Sequence, residues 1–143
     1  MLITQLSVFV ENRAGTLLDI TRLLKDAEID IRALSLADTT DFGIMRLIVS
    51  SPEKAAEVLK KADITFKKTD VIAAELDDTP GGFHKVLTTL GNVGVNVEYT
   101  YAFLTPADSK AYAILRVVDN EKAVAALKAA GIPVLEDESL YNM

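Results

Sequence analysis

Two short stretches carry the residue types best placed for chemistry: "VENRAGTLLDI" (residues 10–20) and "LDDTPGGFHKV" (residues 76–86). In each, an apolar segment gives way to a polar loop, a glycine, and then the spacing of an amphipathic helix. Gly15 and Gly81 allow a positive φ or a close backbone approach. The first N–H groups of the following helix have no intrahelical partner and carry partial positive charge. Such a turn favours an anion, for instance a carboxylate. Just ahead, Asn12 offers a carbonyl and an amide, and Asp78 accepts from an ammonium group. Donors for a carboxylate beside acceptors for an ammonium describe an amino acid. The same residues also suit ordinary helix capping, and spacing alone leaves both readings open.

Other chemistries find less support. With no cysteine there is no thiolate site, and one histidine is too few for a His-rich metal cluster. A net charge of −6 has the wrong sign for a nucleic-acid partner. The segments "GIMRLIVS" (43–50) and "AYAILRVV" (111–118) are no aromatic stacking platform for RNA. The adjacent glycines of "TPGGFHKV" lack the third one of a dinucleotide loop. No nucleophile–base–orienter set is visible. The expectation is a non-catalytic protein without metal or cofactor. No apolar run approaches the roughly 18 residues of a membrane span, and the first residues lack a signal-peptide pattern. A cytoplasmic protein with no membrane partner is expected.

The elements that must position the two loops form a repeat. Residues 2–10 alternate as a strand, and Leu17, Ile20, Leu24 and Ala27 make one side of a helix over 16–27. Strands are expected over 30–37 and 43–50, with "DTTDF" as the turn between them. A helix follows over 52–61, with Pro52 in its first turn, and a strand near Ile64–Phe66. The order is βαββαβ. With a shift of 66 residues Gly81 falls on Gly15, Phe83 on Leu17, Leu90 on Leu24 and Val97 on Ile31. Later segments match with shifts of 70 and 68, so "TPADSK" gains four residues and the next loop loses two. Length changes confined to turns are thermodynamically cheap. The chain therefore reads as two copies of one unit, 1–68 and 69–143, with no flexible linker at "KKTDV". The fold class is α+β: two ferredoxin-like βαββαβ units, each an antiparallel sheet with helices on one face. A unit of this size is marginal alone, and its bare sheet face or edge wants a partner.

On these residues the chain resembles the ACT family. "VENRAGTLLDITRLLKDAEIDI" and "LDDTPGGFHKVLTTLGNVGVNV" each look like the opening half of an ACT domain, and the likeness covers nearly the whole chain. The resemblance implies regulation by a small molecule, most often an amino acid. It also implies that the ligand sits at an interface between units, held by the first loop of one and strand two of its neighbour. Carried over, the first site comprises Asn12, Arg13, Ala14, Gly15, Thr16 and Leu17, with Asp30 and Ile31 opening strand two. The second comprises Asp78, Thr79, Pro80, Gly81, Gly82 and Phe83, with Asn96 and Val97. Ala14 stands where the family usually has proline, and Asp30 where it usually has asparagine, so the two sites need not be equivalent. A stand-alone pair would act on a separate metabolic enzyme or sense its ligand directly, and a homodimer is expected. The alternative is a protein-interaction subunit that regulates such an enzyme without binding a ligand itself.

Other residues read more plainly. His84 falls at a helix edge. Tyr99, Tyr101 and Phe103 share one sheet face; their equivalents in the first copy, Ala33, Ser35 and Ala37, are small, which suits packing across an interface, with a ligand pocket shaped by Tyr99 or Tyr101 as the alternative. Arg46 and Arg116 occupy matching strand positions suited to salt bridges. The acidic tail "EDESLYNM" is expected at the surface.

Overall fold

The computed structural model describes residues 2–11, 13–38, 42–105 and 110–143. The element order is β1 (Ile3–Glu11), α1 (Thr16–Asp26), β2 (Ile31–Asp38), β3 (Phe42–Val49), α2 (Pro52–Lys61) and β4 (Phe66–Leu76). It continues with α3 (Gly82–Asn92), β5 (Val97–Leu104), β6 (Ala111–Val117), α4 (Asn120–Ala129) and α5 (Asp137–Tyr141). Two compact units emerge: residues 4–69, and residues 70–143 together with Leu2 and Ile3. Both are ferredoxin-like.

In the first unit the strands run β2-β3-β1 and then the start of β4. Leu6 of β1 pairs with Leu47 of β3 and Glu11 with Phe42, while Asp38 of β2 pairs with Gly43 and Ile31 with Val49. One sheet face carries Leu6, Val8 and Val10 beside Met45, Leu47 and Val49. Ile20 and Leu24 of α1 and Ala55 and Leu59 of α2 close over it. The second unit repeats this on Ile72, Ala74, Ala113, Leu115 and Val117, covered by Val86, Leu90, Ala123 and Leu127. Hydrophobic residues one face deep on a strand and one stripe wide on a helix are what this two-layer packing requires. The opposite sheet faces are buried in part, through Gln5, Ile48, Ala73, Ile114 and Tyr112 among others, while Phe9 on that face is exposed. Gln5 Nε2 there donates to Ser7 Oγ at 3.0 Å, which meets part of the hydrogen-bonding need of two buried polar side chains. Tyr99, Tyr101 and Phe103 do share a face, opposite Arg116, Ile114 and Tyr112, and the Phe103 and Tyr112 rings stack at 5.6 Å.

Through "KKTDV" runs β4, one strand of 11 residues, whose first part falls in the first unit and the rest in the second. Two expectations need correction. The closing strand of the second unit shrinks to a single bridge, Ala74 with Val134, flanked by Glu75 N–H to Pro133 O and Leu135 N–H to Ala73 O. The tail is not all surface, because it forms α5 and Leu140 is fully buried. The turn at 39–41 and the gained residues at 106–109 lie outside the described residues.

The four long helices end alike. After each, one residue turns left-handed, and the next N–H reaches back five residues: Ile29 to Leu24, Ile64 to Leu59, Val95 to Leu90 and Ile132 to Leu127. Each pair is also apolar and joins the core of its unit, which ties the helix end to the core. The second copy puts glycine at the left-handed position, Gly94 and Gly131, both with φ 73°. The first copy puts Glu28 (φ 58°) and Asp63 (φ 60°) there, where a Cβ is unfavourable. Glu28→Gly and Asp63→Gly are each expected to raise the unfolding free energy by about 1 kcal/mol, read from the midpoint of urea denaturation.

Candidate functional site

The strand-to-helix turns are built on backbone alone. Gly15 is the N-cap residue of α1 at φ 87°, and Gly81 that of α3 at φ 91°; among the described residues no side chain caps either helix start. Asp78 therefore does not cap α3, and Asn12 lies outside the described residues. By contrast, α4 is capped: the Asp119 carboxylate accepts from the Lys122 N–H at 3.1 Å. At α2, which also lacks a side-chain cap, Pro52 stands in the first turn and has no N–H to satisfy. The first bonds of α1 and α3 are Asp19 N–H to Gly15 O and Lys85 N–H to Gly81 O, at 2.9 and 3.0 Å. The preceding N–H groups of Leu17, Leu18, Phe83 and His84 thus precede the hydrogen-bonded ladder of their helices, at the positive end of the dipole.

Around these amides the loops are tied locally. Thr16 Oγ1 donates to Arg13 O at 3.1 Å, and Gly82 N–H to Thr79 O at 3.0 Å. Arg13 Nε meets Glu11 Oε2 at 2.9 Å with both side chains mostly exposed, an arrangement worth little in stability. Arg13, Ala14, Gly15, Asp78, Thr79, Pro80 and Gly81 are exposed, Thr16 is half-buried and Gly82 is buried. Leu17 and Phe83 were expected on the core stripes. Instead both stay substantially exposed, at 40% and 38%, beside the loops.

Within one unit the residues opening strand two are not near the loop. The loop leaves β1 at Glu11, which is level with Phe42 and Gly43 and so with the end of β2. Asp30 and Ile31 lie at the other end, beside Val49, roughly 20 Å away along the strand. The same register separates Asn96 and Val97 from Gly81. Asp30 is engaged locally: its carboxylate accepts from Arg32 Nη1 at 2.7 Å, and its N–H donates to Ser50 Oγ at 2.9 Å. What the first unit brings to its loop is Leu36 and Gly43, which with Leu17 and Thr16 line a recess of ≈ 100 Å³. Leu36 was missed from sequence; the strand direction, which puts the end of β2 beside the loop, was the available signal. On the other side of the helix start lie Asp19 and Asp63, also missed, lining a groove of ≈ 330 Å³. Among the described residues no group of three or more His, Cys, Asp or Glu converges to hold a metal ion. Among the described residues no helix is long and apolar enough to cross a membrane.

His84 is exposed at the helix edge, its Nε2 3.3 Å from Thr88 Oγ1. Arg116 Nη1 lies 4.0 Å from Glu98 Oε1 and also bonds the Val117 carbonyl.

A Cβ added at Gly15 or Gly81 would touch nothing, so only backbone strain opposes a side chain there. At Gly82 a Cβ would collide with the Asp77 carbonyl oxygen. Gly15→Ala and Gly81→Ala are expected to cost about 1 kcal/mol each, and Gly82→Ala more than either, as measured by chemical denaturation.

Comparison with known proteins fits this architecture. The model of the ACT domain pair family matches residues 1–143. Protein BT0572 from Bacteroides thetaiotaomicron is 36% identical, with a TM-score of 0.93 over 100% of this chain and 98% of that one. The regulatory subunit of aspartate kinase from Thermus thermophilus, ligand free, shares 18% identity over 91% of this chain and 92% of its own, with a TM-score of 0.61. The corresponding subunit from Thermus flavus shares 18% over 92% of each, with a TM-score of 0.62. At that identity the two kinase subunits speak for the fold alone. A search of curated proteins gives no match. The chain belongs to the ACT domain pair family.

Proposed function

We propose that this ACT pair is a non-catalytic regulatory protein that binds a small molecule, an amino acid, at its Gly loops. The observation that carries the reading is the contrast among helix starts. The start of α4 is capped by a carboxylate, whereas the starts of α1 and α3 sit on left-handed glycines that have no side chain to cap with, and no other described side chain caps them. Amides left in this way suit a ligand carboxylate. The family resemblance points the same way. Residues 12–17 and 78–83 are the proposed contacts. Asp30, Ile31, Asn96 and Val97 would have to reach the ligand from a different ACT unit, because within a unit they lie at the far end of the sheet. Two terminal strands, β2 and β5, are available for such a neighbour. Exposed Leu34 and Leu36 on β2 and Leu104 on β5 support an apolar contact there, and with it a homodimer.

Regulation in this scheme acts on a separate metabolic enzyme. Ligand favours one arrangement of the protein by no more than its difference in affinity between the two states. Titration calorimetry against the twenty standard amino acids is expected to find at least one binder. The methyl ester of that amino acid, which lacks the carboxylate charge, is expected to bind about tenfold more weakly or worse. If none of the twenty binds, or the ester binds as well as the acid, the carboxylate reading is lost. A stable enzyme partner captured without any dependence on amino acids would instead favour a pure interaction subunit.

A further inference from the structure

The two Gly loops have unequal surroundings. In the first unit a groove of ≈ 330 Å³ opens between the start of α1, the end of β1 and the turn after α2. The matching place in the second unit, between α3, β4 and the turn after α4, holds ≈ 20 Å³. The lining positions correspond in the repeat: Glu11 with Asp77, Thr16 with Gly82, Asp19 with Lys85.

That last exchange inverts the electrostatics. Lys85 reaches from α3 to the end of β4, its Nζ 3.7 Å from the Asp77 carboxylate. Gly82, without a Cβ, lets the helix start settle against the Asp77 carbonyl. In the first unit both walls are acidic, and like charges do not draw together. Each acid is instead held by an arginine of its own segment: Asp19 by Arg22 at 3.4 Å and Glu11 by Arg13 at 2.9 Å. Thr16 also adds bulk where Gly82 has none.

We infer that the two copies are functionally unequal, which narrows the two loops proposed above to one usable site per chain: the groove beside the Gly15 loop admits a small molecule, while in its counterpart Gly82 lets the helix start settle against the Asp77 carbonyl and the Lys85 side chain, laid across to Asp77, is the latch that fills what space remains. The guest's identity rests on the amino-acid reading; the latch does not. The reciprocal swap tests it, since each copy already folds with the other's residue at this exposed helix position. Amide NMR would be recorded on the native chain, Lys85→Asp and Asp19→Lys, with the neutral nitroxide 4-hydroxy-TEMPO as the probe. Broadening is expected to be severalfold stronger at residues 16–20 than at 82–86 in the native chain. Lys85→Asp should bring the second stretch up to the level of the first, and Asp19→Lys should lower the first. Equal broadening in the native chain, or no response to Lys85→Asp, overturns the inference.

A second arm adds a millimolar mixture of the twenty standard amino acids. Shifts confined to residues 13–19 support one site per chain, and shifts at 79–85 in the native chain overturn it. Shifts at neither loop overturn the amino-acid reading, and the nitroxide arm still decides the latch.

Discussion

A backbone conformation open to glycine governs how each unit presents its helix start. At Gly15 and Gly81 the chain passes from strand to helix through a positive φ. A residue with a side chain would resist that geometry, and an Asn or Asp in a more extended conformation at that position would ordinarily cap the helix with its own oxygen. Choosing glycine thus fixes the sharp turn and leaves the first amides to other partners. Asp119 shows what the alternative looks like on the same scaffold: a capped helix start whose amide is satisfied from within the chain. The contrast between turns of similar topology is more informative than either turn alone.

Much of this was legible in the sequence because the repeat doubles each signal. Glycine loops, strand alternation and the apolar stripes of the helices recur at matching offsets, so a weak pattern in one copy is supported by the other. Leu24 and Leu90 read correctly as core for that reason. Leu17 and Phe83 did not, because helical spacing says which side a residue faces but not where the covering sheet ends. That one strand runs through both units was not read, because "KKTD" interrupts the apolar alternation on either side of it. Lys67, Lys68 and Asp70 are exposed on β4, and an exposed strand is polar for the same reason a loop is. The tail was misjudged because a five-residue helix with one buried leucine leaves no periodic trace. Of the candidate site, the loops themselves were legible. Leu36 and Asp19 were not, since their nearness to the loop follows from strand direction and helix placement rather than from spacing along the chain.

Duplication also preserved some features more strictly than others. All four helix ends keep the same pair of backward hydrogen bonds and the same apolar clasp. The residue forced left-handed at those ends varies freely between glycine and an acid. Backbone geometry imposed by a two-layer core is therefore held in common. The charges beside the loops are not, which is why two copies of one architecture present different surfaces.

The unbroken β4 has a consequence for how this gene can change. Phe66 packs with the first core, and Ile72 and Ala74 with the second, all at even positions of one strand. Because side chains alternate, inserting or deleting a single residue between them would turn one copy's apolar residues away from its core. Turns elsewhere in the chain have absorbed length differences since the copies diverged. The junction between the copies can accept such changes only in steps of two, so the spacing of the halves is locked by parity.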